Sequence, residues 1–421
     1  MRSIAYGALW LFVFSIPWED TIVTRFGAIS RITGMLAVGL TLIAVVVSGR
    51  IRRWHGFHLF GLLFALWSCG VLWFHLNAPI LPLRFWTYPQ LFLAVLMIWE
   101  LAPKRQALQA LMVAYVLGAM VTAMQILVAY RTHGGVMRRF SAGTSDPNSV
   151  AMTLALGLPM AWYLAMTYRR PLLRWVCRAY LPVGLFGLML TASRGGFVTA
   201  MVGLLVVPLT MTKLSPGKLA MGIALIALSG ALAVAYVPDT IAQRLSTTGS
   251  SVEDMNLGGR FEIWTAGIKA FGHAPLTGYG AGGFKNAAAP YLRGEPRVAH
   301  NSYLSVLVEQ GLIGFLLYIT MFALVLLGLL KLPALERRYT LVQFAAVATA
   351  ILPLTWEDSK PVWFILAALL GFAQAHAVSA GEYIPQALPQ RASSMARSPR
   401  AQRPRQPMGA PVRTTDPDAT A

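Results

Sequence analysis

Charge is what this sequence has least of. Only 12% of its 421 residues are Asp, Glu, Lys or Arg, about half the share in a soluble domain. The polar surface that remains cannot cover a globule of this size in water, which excludes an ordinary soluble enzyme. With 56% hydrophobic residues, a disordered chain is excluded too. Acidic residues are the scarcest, 16 against 35 Lys and Arg, for a formal charge of +19. In a polar chain that excess would point to nucleic acid. In one this apolar it points to basic loops that orient a membrane protein, and no nucleic-acid partner is expected. Two cysteines, Cys69 and Cys177, lie far apart in or beside apolar runs, a spacing that suggests neither a disulfide framework nor a metal site.

What is present is a series of long apolar runs. A helix crossing a bilayer needs about 20 mostly apolar residues, and about twelve runs meet or approach this. They lie near 4–17, 32–49, 57–76, 83–101, 107–130, 149–167, 175–191, 196–212, 218–237, 302–330, 340–355 and 361–379. The first is short but lacks a small-residue cleavage site, so it reads as retained. With the N-terminus placed in the cytoplasm, the inner segments hold roughly twice as many Lys and Arg as the short outer loops. The sequence therefore predicts an all-α integral membrane protein with about twelve transmembrane helices and both termini cytoplasmic. Residues 1–379 form the polytopic membrane domain, and one long periplasmic loop, about 238–300, precedes the last three spans. Residues 380–421, rich in Pro, Ser, Gln and Arg, read as a disordered basic cytoplasmic tail.

Several residues on the outer side carry chemical interest. Arg194 sits in Thr191-Ala-Ser-Arg-Gly-Gly196, a tight connection just before a span. Glycines there let a backbone approach a ligand, and an arginine beside a helix N-terminus suits a phosphate group. An interfacial anchor snorkelling to headgroups explains Arg194 equally well. Arg260 opens a segment in which Phe261, Trp264, Ile268 and Phe271 fall on one helical face, which predicts an amphipathic helix on the outer membrane surface. Alone, Arg260 reads as a headgroup contact or a partner of Glu262. The glycine-rich stretch Pro275–Phe284 follows no strand and reads as a turn needing positive φ rather than a phosphate loop. His300 stands where the long loop meets the next span. Its ordinary pKa of about 6.5 suits proton transfer, while hydrogen bonding to loop backbone is the plainer role. Glu309 lies within that span, nine residues on, and a continuous helix puts it on the opposite face from His300. It is expected to fix helix packing. Asp146 and Asn148 precede another span and would cap it or contact a sugar hydroxyl.

The order of these pieces says more than any one of them. Ser141-Ala-Gly-Thr-Ser-Asp-Pro-Asn148, Thr191-Ala-Ser-Arg-Gly-Gly196 and Gly259-Arg-Phe-Glu-Ile-Trp264 come first. Pro275–Phe284 and then His300-Asn-Ser-Tyr-Leu-Ser-Val-Leu-Val-Glu-Gln-Gly-Leu-Ile-Gly314 complete the series. The arrangement resembles the O-antigen ligase and polymerase superfamily of bacterial membrane glycosyltransferases, with a family core over about 140–330. The resemblance implies a multi-pass protein of the bacterial inner membrane with its active site facing the periplasm. It implies a glycan donor on undecaprenyl diphosphate, no cofactor and no metal. By motif, Arg194 and Arg260 match the family arginines that engage the donor diphosphate, and His300 matches the histidine that activates the acceptor hydroxyl. Asp146, Asn148, Asn301 and Tyr303 are candidates for glycan contact or for structural roles.

Transfer chemistry agrees with these residues. The diphosphate leaving group gathers negative charge that arginine forks can stabilise, and the acceptor hydroxyl needs a base. Attack opposite the diphosphate inverts the anomeric centre. The acceptor stays open between lipid A core (a ligase), a growing lipid-linked polysaccharide (a polymerase) and a protein. A transporter or flippase of lipid-linked glycans is the competing class, but transporters place ionisable groups near the bilayer midplane, whereas here they gather at span ends.

Overall fold

The computed structural model describes residues 1–24, 27–74, 84–133, 139–211, 215–236 and 259–379. The 380–421 tail and the first part of the long loop, 237–258, lie outside the described residues. The described chain is helical apart from a two-residue antiparallel pairing of Val23–Thr24 with Gly27–Ala28. In chain order the helices are α1 (Arg2–Ser15), α2 (Ile29–Ser48), α3 (Gly56–Phe74), α4 (Thr87–Leu101) and α5 (Arg105–His133). Next come α6 (Pro147–Thr167), α7 (Pro171–Leu190), α8 (Arg194–Leu204), α9 (Val206–Met211) and α10 (Pro216–Tyr236). Beyond the long loop's first part are α11 (Arg260–Phe271), α12 (Phe284–Ala288), α13 (Ser302–Leu330), α14 (Ala334–Ala350) and α15 (Lys360–Ser379).

A helix lies over each expected apolar run, with α8 and α9 dividing the one near 196–212. Among the described residues seven helices are long and apolar enough to cross a membrane: α2, α3, α5, α6, α7, α13 and α15. Helices α1, α4 and α14 have 14, 15 and 17 residues. At about 1.5 Å per residue they fall short of a hydrocarbon core of about 30 Å.

Helix α6 is the centre. Every residue from Val150 to Met166 is buried, and α5, α7, α8 and α14 pack around it. Glycines allow close approaches to it. A Cβ on Gly157 would stand 2.6 Å from the Tyr180 hydroxyl, and one on Gly203 would stand 3.2 Å from Pro159 Cδ. At the periphery the pattern reverses. In α2 the buried residues are Ser30, Ala37, Thr41 and Ala44, a single stripe, while Met35, Leu36, Leu42, Ile43, Val46 and Val47 are exposed. Exposed apolar faces of this extent suit lipid rather than water.

Helix α13 is not continuous. Gly311 breaks it with φ 65° and ψ −173°, two residues after Glu309. The glycine-rich turn 275–284 fills the break: Leu312 N–H donates to the Pro275 carbonyl at 2.8 Å and Gly280 N–H to the Glu309 carbonyl at 2.7 Å. The Glu309 carboxylate then accepts the amides of Gly282 (2.7 Å) and Phe284 (3.2 Å). Glu309 therefore fixes packing, as its place opposite His300 suggested. Gly278, Gly280 and Gly282 all have positive φ, the role expected of this turn.

Gly311 combines a left-handed φ with a Cβ position only 2.2 Å from the Leu276 carbonyl oxygen. Gly311→Ala is expected to destabilise the protein by about 2 kcal/mol or more, read as a lowered thermal unfolding midpoint in detergent. Gly39→Ala, inside α2 with open space around it, does not lower the midpoint.

Candidate active site

Each of the three residues singled out for transfer chemistry stands at a helix start, just after or at a left-handed residue. Arg194 is the first residue of α8. The chain reaches it through Ala192, with φ 50°, and Ser193, whose Oγ accepts the Gly196 amide at 3.2 Å. Arg260 opens α11 directly after Gly259, with φ 79°. His300 itself has φ 46° and precedes Asn301, the cap of α13. A left-handed residue that is not glycine costs about 1–3 kcal/mol and persists only where surrounding contacts over-determine it.

For Arg194 those contacts come from the segment before α6. Asn148 Oδ1 accepts both Ser193 Oγ–H at 3.1 Å and an Arg139 Nη2–H at 2.7 Å. Arg139 Nε–H donates to the Thr191 carbonyl at 3.1 Å. Asp146 caps α6 by accepting the amides of Asn148 (3.0 Å) and Ser149 (3.1 Å). The glycines after Arg194 do something other than admit a ligand. A Cβ on Gly195 would stand 2.8 Å from Pro353 Cγ, and one on Gly196 would stand 2.4 Å from Ala151 Cβ. They make room for neighbouring protein segments.

For His300 the contacts come from the connection between α14 and α15, residues 351–359. His300 N–H donates to Thr355 Oγ1 at 2.9 Å. Ser302 N–H donates to the Ile351 carbonyl at 2.9 Å. Ser302 Oγ donates to the Leu354 carbonyl (2.9 Å) and accepts the Trp356 amide (2.8 Å). Asn301 Oδ1 accepts the Leu304 amide at 3.1 Å, and the Tyr303 hydroxyl donates to the Ala348 carbonyl at 3.3 Å. Both residues are thus engaged in structural bonds. One turn on, Ser305 Oγ donates to Glu357 Oε1 at 2.8 Å. Glu357 is buried, and burial followed by the charges of Glu309 and Asp358 pushes its carboxyl well above the usual carboxylate range. The same connection reaches the start of α8 through Pro353 and is tied outward by the Asp358–Arg84 and Lys360–Glu19 ion pairs.

Helix α11 differs from its expected form. Its buried face is Ile263, Ala266, Gly267 and Ala270, packed with Phe284, Ala287, Ala288 and Ala299. Trp264 and Phe271 lean onto that cluster, and Trp264 Nε1–H donates to the Ala299 carbonyl at 2.9 Å. Phe261 and Ile268 stay 57% and 61% exposed. The apolar stripe read from the sequence is therefore split between protein and surroundings. Small residues, invisible to a hydropathy stripe, make the close contact.

Electrostatics joins the pieces. Burial first, and then the charge of Arg194, lowers the pKa of Arg260. Burial lowers His300 as well, Arg260 and Arg297 add to that, and Asp146 opposes it. At neutral pH the imidazole is consequently uncharged and can accept a proton. Two arginines and a histidine at the starts of α8, α11 and α13 thus bear on one another electrostatically, in a region to which the helix ends add positive potential. Among the described residues no three His, Cys, Asp or Glu side chains are grouped to hold a metal ion.

Residues 179–319 match the family model described as O-antigen ligase. The matched segment, about a third of the chain, is similar to that family. The match starts in α7 and ends in α13, and so contains Arg194, Arg260 and His300. The resemblance of the motifs to the O-antigen ligase and polymerase superfamily holds. No curated protein matches the chain. Several supports of these residues lie outside the matched segment: Arg139 and Asn148 before it, Thr355 and Glu357 after it. Sequence reading passed over Arg139, Ser302 and Thr355. The polar run Thr355-Trp-Glu-Asp358 between two apolar runs was the signal for the last connection.

Ser302→Ala removes two hydrogen bonds from a fully buried position. It is expected to cost about 1–3 kcal/mol, measured by thermal unfolding in detergent, with a larger loss than Thr320→Ala on the exposed part of α13.

Proposed function

We propose that the chain is a membrane glycosyltransferase that moves a glycan from undecaprenyl diphosphate to an acceptor hydroxyl at the periplasmic face of the inner membrane. The observation that carries this reading is the shared electrostatic field of Arg194, Arg260 and His300 at three helix starts, all within the segment that matches the O-antigen ligase family model. The arginines hold the diphosphate and stabilise its charge as the anomeric C–O bond breaks, so the cationic role needs no metal. His300, uncharged at neutral pH, takes the acceptor proton, and attack opposite the diphosphate inverts the anomeric centre.

The proposal includes about twelve membrane-crossing helices with both termini cytoplasmic. Ion pairing supports that arrangement. Arg2–Glu100 and Arg105–Glu336 join residues expected on the inner side, while Arg84–Asp358 and Lys360–Glu19 join residues expected on the outer side.

The test is purified protein with a lipid-linked oligosaccharide, with and without lipid A core. A ladder on the lipid carrier identifies a polymerase and glycan on lipid A a ligase. Transport without either product overturns the enzyme reading. Arg194→Ala and Arg260→Ala are each expected to slow transfer by about a hundredfold or more, and His300→Ala by about 10²–10⁴-fold, all with membrane insertion intact. Full activity of the His300 variant would overturn the base assignment.

The pH profile offers a second check. Because its surroundings lower His300, the acid limb of the rate profile should fall below the ordinary histidine value of about 6.5. Asp146 works in the opposite direction, so Asp146→Asn, which keeps the helix cap, should move the limb to still lower pH.

A further inference from the structure

An exposed arginine stands beside the site and is neither of the two proposed diphosphate ligands. Arg297 lies three residues before His300. The segment leading to His300 is fastened along α11 by the Trp264–Ala299 hydrogen bond and by the burial of Ala299 in the α11 cluster. This places the Arg297 guanidinium over the start of that helix. Its Nη1 stands 3.4 Å from the position a Cβ would take on Gly259, the residue directly before Arg260. Arg297 also bears electrostatically on His300, as Arg260 does. None of the ion pairs among the described residues includes it.

The charge balance of glycosyl transfer gives such a group a use. A glycosyl lipid diphosphate carries one negative charge on each phosphate. When the anomeric C–O bond breaks, its electron pair stays on the bridging oxygen, so the departing lipid diphosphate carries one charge more. The acceptor oxygen forms the new C–O bond and its proton passes to His300. Donor plus hydroxyl thus gives glycoside, lipid diphosphate and a proton. Arg194 and Arg260 match the two charges of the bound donor. We propose that Arg297 is the third cation of the site, meeting the charge that appears on the terminal phosphate as the glycosidic bond breaks. The inference rests on the glycosyl-transfer reading above. A contact that strengthens only as charge develops favours the transition state and the leaving group over the donor.

The test measures binding of two lipids to the full chain in nanodiscs: undecaprenyl diphosphate and an undecaprenyl-diphosphate-linked oligosaccharide. Arg297→Ala is expected to weaken undecaprenyl diphosphate by about tenfold while changing the oligosaccharide lipid by less than about twofold. Arg297→Lys recovers much of the loss. In turnover the alanine variant lowers kcat and leaves KM for the donor unchanged. An equal loss for both lipids, or a loss for neither, overturns the proposal. Arg194→Ala separates the two levels of inference, since it should weaken both lipids. If it does so and Arg297→Ala changes nothing, the third-cation proposal alone falls. If the unaltered protein binds neither lipid, the glycosyl-transfer reading falls and takes the proposal with it.

Discussion

Guanidinium groups held near one another in a half-buried place repel, and the structure must supply the force that keeps them there. Arg194 lowers the pKa of Arg260, and Arg260 lowers that of His300, so each cation makes the next less comfortable. The ends of α8, α11 and α13 add positive potential to the same region. Under the proposed function, the donor diphosphate would offset that repulsion. The groups also need no reorganisation as charge develops, which is where preorganised cations outperform water.

That force comes from two short polar connections. Before α6, Asn148 accepts from Arg139 and Ser193 with one oxygen and so locks the turn that presents Arg194. After α14, residues 351–359 hold the start of α13 through Ser302 and Thr355 and lie against Gly195 at the start of α8. A single connection therefore sets the relative position of Arg194 and His300. It is anchored in turn by Asp358 on Arg84 and by Lys360 on Glu19, so its position depends on contacts spread across the whole chain.

Hydropathy carried the helices, since an apolar run is a local property and each expected run contains one. Capping was also legible at Asp146, which sits directly before Pro147 and caps as local chemistry requires. Glu309 could be placed by counting residues round a helix. Long-range pairing was beyond reach. Nothing local distinguishes Ser302, which binds the backbone of residues 354 and 356, from other serines near span ends. Arg139 looked like one more outer-loop arginine because its partners are set by how α6 meets α7. The stripe on α11 misled because Ala266, Gly267 and Ala270 form the close contact and score as neither strongly apolar nor polar. Length was a coarser guide: about twelve runs were expected to span, and among the described residues seven helices are long and apolar enough to do so. Several runs are helical yet too short to cross alone by the usual measure, and their ends are completed by connections that hydropathy does not see.

The break at Gly311 bears on how the protein experiences its bilayer. Below it, residues 312–330 would reach about 28 Å at helical rise, close to the thickness of a hydrocarbon core. Above it, the first turns of α13 belong with Asn301, the 351–359 connection and the glycine turn. A thicker or thinner bilayer tilts the helices that span it, and an unbroken rod would pass that tilt on to His300. At the break the Leu312 and Ile313 amides bond to the 275–284 turn instead of to carbonyls of their own helix, so a tilt of the lower portion bears first on that turn. Under the proposed function, bilayer thickness would therefore reach His300 through the glycine turn and not along one continuous rod.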